Sequence, residues 1–165
     1  MIKVQFKKQD APMVKFSSED DYIPFVLTFG NKSIFPETIY TRNLNGENFI
    51  EFRFDNNDKS IYEITLVTIE RNTIIPSEPF VSDLIEDGYF SCLTGGEIEA
   101  EYSLPMEILR SESSVCVNWY EKDKPPCKYY SLSQNCIFGV DVNNCLISIV
   151  LSGLSKDDTY NIFGF

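Results

Sequence analysis

Residues 49–71 read FIEFRFDNNDKSIYEITLVTIER. Ile50, Phe52 and Phe54 alternate with Glu51, Arg53 and Asp55, the period-2 signature of a strand with one apolar and one polar face. In the second half, Tyr62, Ile64 and Leu66 carry one face while Ile61, Val67 and Ile69 make the other partly apolar. The second strand is therefore expected to be central and covered on both sides. Between them, Asn56-Asn57-Asp58-Lys59 suits a four-residue turn, since Asn and Asp tolerate positive φ and bond their own backbone.

Working outward, further strands are expected near Lys3–Lys7, Met13–Phe16, Phe25–Phe29, Thr38–Arg42, Tyr89–Thr94, Glu97–Ser103, Val115–Tyr120, Lys128–Leu132, Ile137–Val140 and Leu146–Leu151. Turn signals fall at Gly30-Asn31, Asn45-Gly46, Gly95, Pro125-Pro126 and Asn143-Asn144. One helix is expected from Ser77 to Gly88: Ser77 caps it, Pro79 sits in its first turn, Phe80, Val81, Leu84 and Ile85 form a stripe, and Gly88 ends it. Pro105–Arg110 is read as a second short helical stretch, and Ser155–Asn161 fits either type. The fold class is mainly β: an antiparallel sandwich or a strongly curved sheet with one or two short helices. At 165 residues it is expected to form a single domain over residues 1–165.

The opening MIKVQFKKQDAP has no continuous apolar core and does not resemble a signal peptide. Leu146–Leu151 is far too short to span a bilayer. Five cysteines, Cys92, Cys116, Cys127, Cys136 and Cys145, form an odd set without a CxxC pair. Reduced thiols and a cytoplasmic location are expected, with most cysteines acting as small hydrophobes inside strands.

Histidine is absent, which removes Ser-His-Asp and Cys-His catalysis and every histidine metal site. No glycine-rich phosphate loop occurs. DNNDKS fails as a calcium loop, because Lys59 takes the fifth position and the required Gly and closing Glu are missing. Cys127, Cys136 and Cys145 are nine apart, which fits one cysteine per successive strand better than a zinc knuckle. No catalytic residue, metal or cofactor is assigned. A carboxylate-dependent hydrolase is the enzyme alternative, with Trp119 or a tyrosine stacking on a sugar.

The chain has 14 Lys+Arg against 25 Asp+Glu, a formal charge of −11, which repels nucleic acid and anionic membrane and favours a basic partner. From Asn72 to Leu109 there is no Lys or Arg. Glu78, Asp83, Glu86, Asp87, Glu97, Glu99, Glu101 and Glu107 make this stretch −8 over 38 residues. As a strand, Glu97, Glu99 and Glu101 would line one face and Ile98, Ala100 and Tyr102 the other. Beside an acidic helix face of Asp83, Glu86 and Asp87, this comb is the candidate partner-binding surface.

With its F-x-F-D, polar turn and ITLVTI, Phe49–Glu70 resembles a segment of the immunity proteins of bacterial contact-dependent growth inhibition systems. The resemblance implies a stoichiometric inhibitor that plugs the active site of a cognate nuclease toxin. The acidic residues are assigned to the interface on charge grounds, since nuclease clefts are basic where they hold phosphates. A structural β-sandwich module of a phage or surface assembly is a third reading.

Overall fold

A computed structural model describes residues 1–10, 14–17, 25–30, 38–79, 81, 85–95, 101–120 and 124–163, with backbone alone for 38–42. Its strands in chain order are β1 (Val4–Gln9), β2 (Val14–Ser17), β3 (Phe25–Phe29), β4 (Thr38–Asn45), β5 (Asn48–Asp55), β6 (Ile61–Thr68), β7 (Ile74–Pro76) and β8 (Ile85–Glu86). They continue with β9 (Tyr89–Thr94), β10 (Glu101–Tyr102), β11 (Glu107–Arg110), β12 (Ser114–Asn118), β13 (Lys128–Ser133), β14 (Cys136–Val140) and β15 (Leu146–Ser152), followed by the helix α1 (Lys156–Phe163). A six-stranded sheet runs β10-β4-β5-β6-β3-β2, a seven-stranded sheet runs β7-β11-β12-β15-β14-β13-β8, and β1 pairs with β9.

The quoted hairpin is β5–β6, and β6 is central, between β5 and β3. Asp55 Oδ1 accepts the Asn57 N–H (2.7 Å), Asp58 Oδ1 accepts the Ser60 N–H (2.8 Å), and Lys59 takes φ +64°. The Lys59 carbonyl then accepts the Thr94 N–H (2.8 Å), tying the turn to β9. One detail departs from strict alternation. The register shifts between Arg53 and Phe54 and again between Phe49 and Ile50, so Tyr62 and Val67 are bulge residues. The first shift puts Ile61, rather than Tyr62, in the core with Ile64 and Leu66. In the β4–β5 hairpin the two-residue loop opens with Gly46 at φ +62°, a conformation that L side chains disfavour.

The two large sheets pack as a sandwich. Ile50, Phe52 and Phe54 of one share a core with Ile108, Val115, Val117, Phe138 and Ile149 of the other, joined by Val4 and Cys92 from the β1–β9 pair and by Ile2 just before β1. Trp119, fully buried just past β12, lies 5.2 Å from Phe52 between ring centroids and donates Nε1–H to the Leu146 carbonyl (2.9 Å). Phe29 and Phe138 make a second aromatic contact between the sheets at 5.8 Å. Burying such rings with their polar atoms satisfied is the main favourable term available to a fold of this type.

The expected helix from Ser77 to Gly88 is overturned: among its described residues none is helical. Ile74–Pro76 pairs in parallel with β11, and the Ser77 N–H goes to the Arg110 carbonyl (3.0 Å) instead of capping. Ile85–Glu86 pairs in parallel with β13. Pro76 and Ile85 therefore occupy the two opposite ends of the seven-stranded sheet. Those ends are separated by six inter-strand spacings of about 4.8 Å along the sheet, whereas a helix advances only about 1.5 Å per residue. Gly88 does take positive φ (+100°), but in the turn from β8 to β9, where a Cβ would come within 2.7 Å of Lys8 Cε. Pro105–Arg110 is likewise not helical, since Glu107–Arg110 is β11. Ser155–Asn161 is largely α1, fixed by a reciprocal cap. Asp158 N–H donates to Ser155 Oγ (3.1 Å) and Ser155 N–H to Asp158 Oδ2 (2.9 Å).

Trp119→Ala is expected to cost about 3–5 kcal/mol, from loss of a buried ring. Trp119→Phe should cost less, though it leaves the Leu146 carbonyl without its side-chain donor. Urea unfolding at constant m-value checks both. As the chain has one tryptophan, a blue-shifted native emission that reddens on unfolding is also expected.

Candidate interaction surface

The Lys/Arg-free stretch from Asn72 to Leu109 supplies β7, β8 and β10, three of the four terminal strands of the two large sheets. All three join in parallel to their neighbours, while the other strand pairs among the described residues are antiparallel. Each parallel pairing spans only two or three residues. Among the described acids of this stretch, Glu86 is on β8 and Glu101 on β10, while β7 carries none; short charged strands at a sheet margin discourage edge-to-edge pairing.

Of the six residues assigned to the surface, Asp83, Glu97 and Glu99 lie outside the described residues. The other three separate into two groups. Glu101 is exposed on β10, the outermost strand of the six-stranded sheet, opposite Arg42 of β4 in register. The chain after β10 is clamped to β4 by Asn43, whose Nδ2 donates to the Leu104 carbonyl (3.2 Å) and whose Oδ1 accepts the Leu104 N–H (2.8 Å). This delivers the chain to β11, beside β7, so Glu107 is also exposed on that side. Glu86 and Asp87 belong to the far end of the seven-stranded sheet, at β8.

Around β8 the charge is balanced. Glu86 forms an ion pair with Lys128, whose ammonium lies 5.3 Å from the Tyr130 ring centroid. The hydrogen bond to Glu86 raises the Lys128 pKa above its ordinary value. A cleft of about 540 Å³ is lined here by Lys8, Ile85, Glu86, Asp87, Phe90, Cys127 and Lys128. Its two ammonium groups match its two carboxylates.

Two buried carboxylates lie elsewhere, on β5 and β6. Arg53 Nε meets Glu51 at 2.9 Å and its Nη1 meets Glu63 at 3.1 Å. Glu51 is 8% exposed and Glu63 6%, although alternation alone assigns Glu51 to solvent. The cross-strand pairing of Arg53 with Glu63 brings opposite charges together and offsets the desolvation. Trp119, offered above as a sugar platform, is fully buried and has no face to present to a ligand. The acids of DNNDKS are occupied by the turn hydrogen bonds of Asn57 and Ser60. Among the described residues no three Cys, Asp or Glu side chains are grouped to hold a metal ion, and no helix is long and apolar enough to cross a membrane.

All five cysteines are free thiols. Cys92, Cys116, Cys136 and Cys145 are buried and Cys127 is exposed, so Cys127 departs from the small-hydrophobe reading. Cys136 opens β14, while Cys127 and Cys145 immediately precede β13 and β15. Cys116 belongs to a buried polar trio. Asn118 Oδ1 accepts from Ser148 Oγ (2.7 Å) and from Cys116 Sγ (3.1 Å). The alternation of Ser114, Cys116 and Asn118 with Val115, Val117 and Trp119 carried the signal for this trio, which composition alone passes over. Burial pushes the Cys116 thiol up to about 11. Cys92 and Cys136 are also raised, chiefly by burial. These thiols stay protonated and lack the thiolate character of a nucleophile.

Compared with protein-family models and with curated proteins, the chain matches none. The fold is a β-sandwich in which two of the four terminal strands, β8 and β10, carry an acidic residue.

Two outcomes follow from the thiols. Under native conditions one cysteine, Cys127, should alkylate fast and four slowly; intact-mass measurement against a denatured control decides, and rapid labelling of all five would contradict the burial. Above pH 9 the unfolded chain loses thiol protons that the folded chain keeps, so stability should fall as pH rises. Each strongly raised thiol contributes up to about 1.4 kcal/mol per pH unit, and for Cys116 the loss ends near its folded value of about 11. Urea midpoints from pH 7 to 10, for wild type and Cys116→Ala, measure the slope.

Proposed function

We propose that the protein is a cytoplasmic immunity protein that binds a basic toxin domain, in the first instance a nuclease, and blocks its cleft with carboxylates. The observation that supports this reading is the use of one Lys/Arg-free stretch for three of the four terminal strands. None of these strands carries a cation, and Glu86 on β8 and Glu101 on β10 present negative charge at the margins to a partner. Such charge steers a cationic domain into place and discriminates against acidic ones.

Within the proposed surface Glu101 of β10 contributes more than Glu86 of β8, because the Glu86 charge is already matched by Lys128. Asp83, Glu86 and Asp87 contribute mainly to the long-range field. Inhibition is by occupancy and needs no cofactor.

The first test is genetic context and complex formation. The gene immediately upstream is expected to encode a long secreted protein with a C-terminal toxin domain, and coproduction should give a stable complex and restore growth. Glycan-utilisation or virion genes in that position, with no complex formed, would sink the reading. The second test is charge reversal. Changing Glu97, Glu99 and Glu101 to Lys is expected to cost about 2–5 kcal/mol of affinity, with an unchanged unfolding midpoint and a weaker salt dependence. Reversal of Glu86 and Asp87 should cost less, and reversal of Glu37 and Glu47 least. Equal losses in all three would show that net charge, and no particular margin, carries the effect.

A further inference from the structure

Where the β1–β9 pair meets the two large sheets, the packing leaves a gap. β9 touches the start of β6 at the bridge between Ser60 and Leu93 and runs on from there paired with β1. Between β9, the end of β3, the start of β6 and β13 lies a pocket of about 190 Å³. Its walls are Phe29, Ile61 and Phe90, and its floor is Cys92 and Leu132, both fully buried. Gln9 and Gly30 are exposed and mark its mouth. A Cβ built on Gly30 would meet no atom within 4 Å, so the entrance is open on that side.

The lining is held from outside the pocket. Phe29 packs edge-on against Phe138 at 5.8 Å, and Phe90 packs edge-on against both Phe6 (6.4 Å) and Tyr130 (5.1 Å). Leu132 is the extra residue of a β-bulge. Ser131 faces Ile137 and Ser133 faces Cys136, which leaves Leu132 without a partner in register and turns it inward. The space therefore cannot collapse without breaking these contacts.

An unfilled apolar pocket leaves its lining without dispersion partners on one side. A guest that fills it recovers those contacts and takes its own apolar surface out of water. Volume selects the guest. Cavities of roughly 150 Å³ lined by aliphatic and aromatic side chains take a benzene ring, whereas sites for drug-sized ligands and cofactors run to about 300–1,000 Å³. At about 190 Å³ this pocket holds one ring with a small substituent and excludes a nucleotide or a peptide. Charge selects as well. Among the described residues that line it none carries a charge, and burial raises the Cys92 thiol, which stays protonated. A carboxylate or ammonium carried inside would be left unpaired.

We infer that the pocket between Phe29, Phe90 and Leu132 binds a small uncharged aromatic molecule, a single ring of the benzene or toluene type. This site is independent of the acidic margins and of the inhibitor reading.

The test is a toluene titration of the full chain, isotope-labelled at its methyl groups and followed by NMR. Saturable shift changes at the methyls of Ile61 and Leu132 are expected, and the unfolding midpoint should rise with toluene concentration. Benzoate, the same ring with a charge, should produce neither. Cys92→Met extends a side chain into the space and should abolish toluene binding while the unfolding midpoint holds. Cys116→Ala, at a buried thiol outside the pocket, should leave binding unchanged. No saturable binding up to the solubility of toluene overturns the proposal. Shift changes confined to other methyls, or undiminished binding by Cys92→Met, do so equally. Binding of benzoate as strong as that of toluene overturns the uncharged class. Should Cys92→Met fail to fold, the shift map of the unaltered chain decides by itself.

Discussion

The contact on which the sandwich depends is the one Trp119 makes in two directions at once. Its ring reaches across the interior to Phe52 of the six-stranded sheet. Its Nε1–H and backbone N–H both donate within the seven-stranded sheet, to the carbonyls of Leu146 and Ile147 at 2.9 and 3.0 Å. A ring of this size, fully buried, fixes the spacing between the sheets as well as the start of β15. The N-terminus enters at the same place. Leu146 donates its N–H to the Ile2 carbonyl, and Val4 donates to that of Asn144. The β1–β9 pair is thereby locked against the beginning of β15, and Cys92 of β9 joins the common core.

Where local pattern and tertiary demand coincided, the elements were legible to the residue. Phe25–Phe29 and Tyr89–Thr94 have the bounds that their apolar content predicts. The hairpin was legible because its pairing partners are neighbours in sequence. Residues 77–88 failed for the opposite reason. Phe80, Val81, Leu84 and Ile85 satisfy a helical period, yet the partner of Ile85 is Tyr129, and nothing local to the stretch records so distant a pairing. Glu51 failed differently. Alternation reports which face a side chain takes and says nothing of depth, and the depth came from the opposite charge of Arg53.

The site was legible as a composition and not as a shape. The run without Lys or Arg was plain in the sequence, but its acids were grouped as a strand comb beside a helix. With the helix gone, the described members belong to opposite margins. What unites them is topology, since one stretch of chain closes both sheets. Each of its terminal strands is too short to template another chain, and two of them, β8 with Glu86 and β10 with Glu101, also place a carboxylate at the margin.

The parallel attachment of β7, β8 and β10 also sets an order of assembly. Antiparallel neighbours such as β5–β6 and β14–β15 close through short turns and recover their loop entropy at once. The pairings of Glu101 with Arg42 and of Ile85 with Tyr129 must wait until both sheets exist, because long loops are closed there for two pairs of residues each. The margins are therefore the last regions to form and the first to open, and their amides exchange with solvent by excursions that leave the Trp119 core intact. A partner that clasps these strands would slow that opening, so its footprint could be read from hydrogen exchange without any change in the core.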